Sequence, residues 1–160
     1  MGQYVLKVTG ELSNVTDLKP VDTTDSPFEY TFVIECTNCR EEHDRPITIN
    51  LFEKHDLQKS RGDALFIYKC ASCGHEKSTT ITRTKESLSE SGKWATILEI
   101  DSRGMELKKF NPEGRFQCVG SDSGTHFDEV DLEESEWYDY DDKVGEEVSI
   151  TEVKWELARR

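Results

Sequence analysis

Two pairs of cysteines constrain the fold of this chain more than any other feature. Cys36 and Cys39 form one C-x2-C pair, and Cys70 and Cys73 form a second pair after 30 intervening residues. A gap of two residues lets both sulfur atoms of one turn reach the same tetrahedral ion, and four soft thiolates select zinc or iron. Each pair follows an apolar, strand-like run, so two neighbouring strands can deliver all four sulfurs to one edge of the structure.

The spacing therefore predicts a zinc-ribbon-like site in which Cys36, Cys39, Cys70 and Cys73 bind one zinc ion. Four protein ligands leave no open position for water or substrate, which makes such a site structural rather than catalytic. No nucleophile–base pair or phosphate-binding glycine loop is recognisable elsewhere, so we expect no enzymatic activity. Zinc binding to sites of this kind contributes about 10–16 kcal/mol in peptides, so its removal should unfold the N-terminal half.

Other roles for the cysteines and histidines are less well supported by the pattern. A redox dithiol normally precedes a helix in a βαβ unit, and neither cysteine pair is followed by a helical pattern. His43 and His75 lie near the pairs and could replace a ligand, but four cysteines already complete the shell. We interpret His55 and His126 as surface residues. Cys118 has no partner cysteine and is interpreted as a bystander rather than a reactive thiol.

Apolar residues recur with a period near two, which predicts a mainly β protein. Pro20 closes the first strand-containing unit, because proline cannot donate to a β-ladder. Residues 52–63 are polar and predict a loop. The predicted strands cover residues 4–12, 28–35, 46–51, 64–69, 78–83, 94–100, 105–112, 114–118, 127–132 and 147–157.

A polar, serine-rich stretch within residues 84–92 indicates a boundary between two units, 1–88 and 89–160. The order of the predicted strands repeats across this boundary with an offset of roughly 90 residues, which favours an internal duplication into two similar, sandwich-like β halves. The final strand, 147–157, would then merge the last two strands of the first half. The second half would lack metal ligands and be held by packing alone, with Trp94 and Trp155 in its core.

Charge limits the partners of the chain. The net charge is −13 at pH 7, and the second half of the chain is the more acidic. Such a surface repels nucleic acid, whose binding normally requires clustered lysine and arginine. No apolar run is long enough for a membrane span, and no signal peptide is recognisable. We therefore expect a cytoplasmic, or cytoplasmic and nuclear, protein that binds neither nucleic acid nor membrane.

Acidic residues are concentrated in residues 122–147, which hold 12 aspartates and glutamates against one lysine, Lys143. Six apolar or aromatic residues are interleaved with them. One interpretation is a solvated loop and strand edge. The other is a docking surface, because tryptophan and tyrosine are enriched at interface hot spots. The interleaved residues are Phe127, Val130, Leu132, Trp137, Tyr138 and Tyr140.

Several motifs together resemble the eukaryotic CXXC-motif-containing zinc-binding protein family. They are E-C-T-N-C at the first cysteine pair, Y-K-C-A-S-C-G-H at the second, L-K-P after the first strand, N-P-E-G-R-F, and the acidic segment Trp137-Tyr138-Asp139-Tyr140. The resemblance covers nearly the whole chain. It implies a cytosolic, largely β protein of two similar halves with zinc in the first, and it brings no established enzymatic activity.

Two functional hypotheses follow. The first is a non-enzymatic, monomeric zinc protein that binds a partner protein, one with a basic surface, through its acidic C-terminal half. The second is a metal-handling or redox module in which the thiolates exchange zinc or copper or cycle through disulfides. The two differ in one property that can be measured, the rate at which the folded protein gives up its metal.

Overall fold

The computed structural model describes residues 2–23, 25–42, 46–50, 55–56, 63–64, 66–70 and 73–159, and every regular element in these residues is a β-strand. In chain order the strands are β1 (Gly2–Ser13), β2 (Val15–Pro20), β3 (Tyr30–Cys36), β4 (Ile47–Ile49), β5 (His55–Asp56), β6 (Asp63–Ala64), β7 (Phe66–Lys69), β8 (Glu76–Arg83), β9 (Ala95–Arg103), β10 (Met105–Asn111), β11 (Phe116–Gly120), β12 (His126–Val130), β13 (Trp137–Asp141) and β14 (Glu146–Arg159). The prediction of a mainly β fold is confirmed. The described residues contain no helix capable of crossing a lipid bilayer.

These strands form three sheets of three or more strands and one short hairpin, β5–β6. The largest sheet has six strands in the order β13-β14-β1-β9-β8-β7. Two three-stranded sheets have the orders β10-β3-β4 and β12-β11-β2. All pairs are antiparallel. Antiparallel sheets can bury one face and expose the other, which is why apolar residues alternate in the sequence.

Each of these three sheets contains strands from both segments, 1–88 and 89–160. Strand β1 of the first segment lies between β14 and β9 of the second, and the register extends along most of its length. Strand β3 likewise pairs with β10, and β2 pairs with β11. The two segments therefore share continuous sheets and complete each other's strand order.

The pairing of strands is symmetric between the two segments. Each strand of the first segment in these sheets has a counterpart in the second: β1 and β9, β2 and β10, β3 and β11, β4 and β12, β7 and β13, β8 and β14. Exchanging the counterparts reverses the order of the six-stranded sheet and interchanges the two three-stranded sheets. A duplicated unit would give this pattern. The internal duplication itself stays a prediction. The interpretation of the last strand as two merged strands is wrong, because β13 and β14 are separate and pair with each other.

One hydrophobic core spans both segments. Leu6, Leu98 and Ile150 are completely buried and belong to β1, β9 and β14 of the large sheet. Aromatic rings continue the core into the smaller sheets. The ring centroids of Phe110 and Trp155 lie 4.8 Å apart, and those of Phe116 and Trp155 lie 5.5 Å apart. Trp155 thus joins β14 to two other strands, whereas Trp94 is 47% exposed and its predicted core position is wrong.

Most predicted strands are present, with shifts of a few residues at their ends. Strand β2 continues to Pro20, where only the end of a unit was predicted, and β13 forms inside the acidic segment. The predicted loop 52–63 contains strand residues of the β5–β6 hairpin, and its remaining positions lie outside the described residues. Leu51 and Leu65, which the predicted strands included, also lie outside them.

The connection at residues 84–92 is attached to the core and is not a free linker. Leu88 is buried, and its backbone N–H and C=O both bond to Leu18, each at 2.9 Å. The Ser91 hydroxyl accepts a hydrogen bond from the Leu12 N–H at 2.8 Å. These contacts fasten the connection to β1 and β2, so it serves as part of the packing between the sheets.

Candidate metal centre

The first cysteine pair sits in a tight turn at the end of β3. The Arg40 N–H donates to the Cys36 carbonyl at 2.9 Å, and the Cys36 N–H donates to the Glu41 carbonyl at 3.0 Å. Arg40 has a φ of 60°, in the left-handed region that non-glycine residues rarely adopt. The chain therefore reverses direction between Cys36 and Glu41, and both cysteines of the first pair lie in this turn.

The second pair repeats this turn after β7. The Gly74 N–H donates to the Cys70 carbonyl at 2.8 Å, and the Cys70 N–H donates to the His75 carbonyl at 3.0 Å. Gly74 has a φ of 74° and stands where Arg40 stands in the first turn. Ala71 and Ser72, inside the second turn, lie outside the described residues.

The hairpin between β9 and β10 holds the two turns together. Strand β9 pairs with β8, which follows the second turn, and β10 pairs with β3, which precedes the first. Gly104 connects β9 to β10, and its carbonyl accepts a hydrogen bond from the Thr37 N–H at 3.2 Å. Register within two sheets thus places two distant parts of the sequence next to each other.

The structure brings the four predicted ligands into one cluster. Their sulfur atoms all lie within 4.8 Å of one another, with Cys36 and Cys73 at 3.6 Å and Cys39 and Cys70 at 3.7 Å. Disulfides need about 2.05 Å between sulfurs. Tetrahedral zinc with Zn–S bonds of about 2.3 Å requires sulfurs roughly 3.8 Å apart. The donor set and its spacing therefore fit one zinc ion.

Thiol ionisation in this cluster is unequal. Burial acts to raise the pKa of Cys36, but hydrogen bonds from the backbone of Cys39 and Asn38, with the interactions of Lys77 and Cys73, lower it to about 5. For Cys39 a backbone hydrogen bond from Glu41 lowers the pKa, but burial and the neighbouring cysteines raise it to about 12. For Cys73 a hydrogen bond from the His75 backbone lowers the pKa, but burial and the side chains of Cys36 and Cys70 raise it above its usual value. Four thiolates thus require a cation among them.

None of the other candidate residues that the structure describes joins the cluster. His75 and His126 are exposed, so the surface prediction for His126 is confirmed. His43 and the side chain of His55 lie outside the described residues. Cys118 is buried, and burial, followed by the charges of nearby aspartates, raises the pKa of its thiol to about 12. Among the described residues, the four cysteines are the one group of metal-ligating side chains close enough to share an ion.

A second pair of turns, which sequence reasoning missed, occupies the symmetric position in the other segment. The Gly124 N–H donates to the Gly120 carbonyl at 2.8 Å, and the Gly145 N–H donates to the Asp141 carbonyl at 2.8 Å. Gly120 and Asp141 end β11 and β13, where Cys36 and Cys70 stand at the ends of their strands. A glycine four residues after each of Cys70, Gly120 and Asp141 is the signal that could have revealed these turns.

A buried carboxylate joins the second pair of turns. Asp141 is 1% exposed and accepts hydrogen bonds from the Ser123 hydroxyl, from the Thr125 hydroxyl at 2.9 Å and from the Lys143 N–H at 3.1 Å. The Ser123 hydrogen bond, opposed by burial and aided by the Thr125 and Lys143 bonds, lowers the pKa of Asp141. The second segment is therefore closed by a hydrogen-bonded carboxylate at the place where the first has sulfur ligands, and packing alone does not hold it.

Known proteins resemble this chain in sequence and in fold. The family model of the eukaryotic CXXC motif containing zinc binding protein matches residues 5–158. A UPF0587 protein of Schizosaccharomyces pombe is 36% identical, with 99% of each chain covered. A CXXC motif containing zinc binding protein of Rattus norvegicus is 34% identical, again over 99% of each chain.

Two solved structures resemble the whole chain. The crystal structure of C1orf123 superposes with a TM-score of 0.87 at 32% identity, covering 99% of this chain and 100% of that one. A hypothetical protein from Plasmodium falciparum gives a TM-score of 0.84 at 24% identity, covering 98% and 99% of the two chains, which shows a shared fold. With the family match over nearly its entire length, the chain belongs to the eukaryotic family of CXXC motif containing zinc binding proteins.

Proposed function

We propose that this is a non-enzymatic zinc protein that acts by binding a partner protein. In this proposal Cys36, Cys39, Cys70 and Cys73 bind one structural zinc ion, and an acidic edge of the large sheet binds the partner. The closed set of four sulfurs supports the first part, because it leaves no ligand position free for a reaction. The observation that carries the second part is a pair of exposed tyrosines on an edge strand.

The tyrosine edge consists of Tyr138 and Tyr140 on β13. Their side chains are 63% and 49% exposed, and as alternate residues of one strand they project from the same face. Strand β13 pairs with β14 on one side and, among the described residues, with no strand on the other. Monomeric proteins usually protect such edges, so an exposed aromatic edge indicates a place where another chain can bind.

Acidic side chains surround the tyrosine edge. Glu136, Asp139, Asp142 and Glu147 are all exposed, and the Tyr138 hydroxyl donates to the Glu136 carboxylate at 3.4 Å. Strand β13 itself contains no lysine or arginine. An acidic rim around aromatic side chains favours a partner with lysine or arginine, both by charge and by cation–π contacts with the rings.

An extended basic segment of another protein fits this surface best. Such a segment could add to β13 as a new strand, with main-chain hydrogen bonds giving affinity and alternate lysines meeting the carboxylates. The Tyr140 N–H now donates to the Asp139 carboxylate at 2.7 Å. The incoming strand would take over this donor and release Asp139 to pair with a basic side chain.

A titration with peptides tests the docking surface. Two probes of alternating residues, one of lysine and valine and one of glutamate and valine, are added to the 15N-labelled zinc-loaded protein. We expect saturable amide shifts at residues 137–141 with the lysine probe alone, and binding that weakens as salt rises. Binding that is independent of salt, or shifts located elsewhere, would contradict the proposal.

Two double variants separate the surface from general acidity. Glu136→Gln with Asp139→Asn removes two charges at the tyrosine edge, and Asp25→Asn with Glu113→Gln removes two exposed charges elsewhere. We expect the first to weaken binding of the lysine probe about 10-fold or more and the second to change it less than 3-fold, since only close charges act strongly at physiological salt. Equal effects would point to non-specific attraction.

Metal handling is the second candidate, and the exposure of the sulfurs favours it. Cys39 is exposed and Cys73 is half-buried, so a competing ligand could approach the centre from that side. A metal-transfer protein should lose zinc to a chromophoric chelator within minutes while it stays folded. A structural centre should lose it only at the rate of unfolding, so comparison of the two rates distinguishes the candidates.

The expected location and assembly belong to the same proposal. We expect a monomer in the cytoplasm, or in cytoplasm and nucleus, that does not bind nucleic acid. Light scattering of the zinc-loaded protein at several concentrations tests the first expectation, and a duplex DNA titration at low salt tests the last. Saturable DNA binding would contradict the reasoning from net charge.

A further inference from the structure

Lys77 is a lysine whose side chain is buried next to the four-cysteine centre. It lies on β8, four residues after Cys73, and its side chain is 1% exposed. Among the described residues, its Nζ has no hydrogen-bond partner. A buried ammonium costs several kcal/mol unless a negative charge compensates it, so the location of the nearest negative charge becomes the question.

The side chain of Lys77 lies next to the first cysteine turn. Its side chain interacts with that of Cys36, the last residue of β3. A Cβ atom on Gly104 would lie 2.9 Å from Cδ of Lys77 and 3.4 Å from its Nζ. The Gly104 carbonyl, in turn, accepts the Thr37 N–H at 3.2 Å. The absence of a side chain at Gly104 thus leaves the space through which Lys77 reaches the base of the turn.

The net charge of the metal-loaded centre can compensate the ammonium of Lys77. A divalent ion with four thiolates has a net charge of −2, so the metal-loaded centre supplies the negative charge that a buried ammonium requires. We propose that the ammonium of Lys77 is the built-in counter-charge of the metal-loaded four-cysteine centre, a positioning and charge-balancing residue that increases the affinity of the site for zinc. This inference rests on the proposed zinc site and adds a residue outside its ligand set.

The proposal predicts effects of opposite sign with and without metal. In the loaded protein, replacing Lys77 by methionine removes an attraction between the ammonium and the thiolates. In the metal-free protein the same change removes a buried charge that lacks full compensation, so it should leave the metal-free state as stable or make it more stable. A side chain needed only for packing would lower the stability of both forms together.

The experiment compares Lys77→Met with Lys154→Met. Lys154 is exposed on β14, so its replacement removes one positive charge from the surface without touching the cluster. Zinc affinity is measured by competition with a chromophoric chelator, and the absorption of the cobalt-substituted protein reports whether four thiolates still bind. We expect Lys77→Met to weaken zinc about 10- to 100-fold, the effect typical of outer-shell partners, and Lys154→Met to leave it unchanged.

Further variants keep the test decisive. If Lys77→Met does not fold, Lys77→Gln removes the charge while keeping a polar, hydrogen-bonding head, and the same loss of affinity is expected. Urea unfolding of the metal-free variants, at a temperature below the thermal transition of the metal-free wild type, then tests the second effect. There the Lys77 variants should be as stable as the metal-free wild type or more stable. Unchanged zinc affinity in a folded variant with an intact cobalt spectrum would overturn the role of Lys77. Failure of the wild type to bind zinc would instead overturn the proposed function itself.

Discussion

At the scale of single residues, four turns share one backbone requirement. Arg40, Gly74, Gly124 and Gly145 each stand four residues after the end-of-strand residue and donate their N–H back to its carbonyl. Their φ angles are 60°, 74°, 73° and 69°. Three of the four are glycine, the residue that adopts this conformation without steric cost. Arg40 is the exception and holds a strained backbone in the first metal turn.

Substitutions at Gly74 and Arg40 should change the free energy of unfolding in opposite directions. For Gly74→Ala we expect the free energy of unfolding to fall by about 1 kcal/mol, since a left-handed alanine is strained. Among the described residues the added Cβ would have no atom within 4 Å, so no new packing contact offsets the strain. For Arg40→Gly we expect a gain of about 0.5 kcal/mol, because relief of strain exceeds the entropy that glycine adds to the unfolded chain. Urea unfolding of the zinc-loaded variants measures both.

A matched control isolates the backbone effect at Arg40. Its side chain forms exposed ion pairs with Glu35 at 3.5 Å and Glu106 at 3.3 Å, which Arg40→Gly also removes. Arg40→Ala removes them while keeping the strained φ, so it should be slightly less stable than wild type. If Arg40→Gly is as unstable as Arg40→Ala, the strain is not significant.

Cys118 should be chemically inert in the folded protein. Its side chain is buried, and burial raises the pKa of its thiol to about 12, so almost no thiolate exists at pH 8. We expect iodoacetamide to leave Cys118 unmodified in the zinc-loaded protein and to label it in urea. Peptide mass spectrometry after timed labelling measures this. Rapid labelling of native protein would contradict the bystander interpretation.

The spacing of the cysteines made their cluster predictable from the sequence, but the surroundings of the cluster were not predictable. Within each C-x2-C pair, local geometry alone lets both sulfurs reach one ion, so each pair is recognisable without tertiary information. Lys77 lies in a polar stretch that gives no sign of burial. Its position follows from β8 pairing with β9 and from the missing side chain at Gly104, and both are facts about three-dimensional contacts.

At the scale of elements, two pairs of turns close the two segments by different chemistry. Sulfur atoms meet between the turns after β3 and β7. A carboxylate, that of Asp141, meets hydroxyl groups between the turns after β11 and β13. A Cβ atom on Gly120 would lie 2.6 Å from the Asp141 carboxylate, so a side chain at position 120 would collide with that carboxylate. The same backbone junction is thus stable with a metal site or with hydrogen bonds.

Asp141→Asn should destabilise the protein in a pH-dependent way. The carboxylate has a lowered pKa in the fold, so its contribution is full above its unfolded pKa of about 3.9 and disappears as pH falls through the lower folded value. We expect a loss of several degrees in melting temperature at pH 7, and a difference from wild type that shrinks below about pH 4.

Asp142→Asn is the control for this substitution. Asp142 follows directly in the chain, and its side chain is exposed, so the change in net charge is the same without loss of a buried bond. Melting curves of both variants are compared from pH 2.5 to 7 by circular dichroism. A melting temperature of Asp141→Asn equal to that of Asp142→Asn would show that the hydrogen-bonded junction contributes nothing.

Alternating apolar residues predicted most strands but missed those with mixed surroundings. Strand β13 is one example, because its buried residue is an aspartate, Asp141, and Trp137 is only partly buried. Its two tyrosines and Asp139 face solvent. Read from the sequence, that pattern indicates a polar loop. Strand β2 was missed because Pro20 was interpreted only as the end of a unit. Proline can occupy the last position of a strand, and Pro20 does so in β2.

At the scale of the whole molecule, the two segments support each other. Strand β1 has partners from the second segment on both sides, and the rings of Phe32 and Phe110 lie 5.4 Å apart across β3 and β10. Symmetric pairing of this kind could not be read from the sequence, because a repeated order of strands is equally compatible with two separate sheets. The metal centre is therefore part of a shared framework.

Division of the chain tests this sharing. We expect segments 1–88 and 89–160, expressed separately with zinc present, to show little β structure alone and to form a folded complex when combined, since each lacks strands that the other supplies. Circular dichroism of the separate and mixed fragments measures the effect. Two fragments that each unfold cooperatively on their own would contradict the shared framework.

The central claim is that four cysteines hold one structural zinc ion in that framework. The most direct test is the zinc content of the purified protein together with its unfolding transition, for wild type and Cys70→Ser, with and without chelator. We predict one zinc per wild-type chain, loss of zinc in Cys70→Ser, and a single transition that chelator moves to much lower temperature. A wild-type protein that holds no zinc, or that keeps the same transition after zinc removal, would contradict the claim.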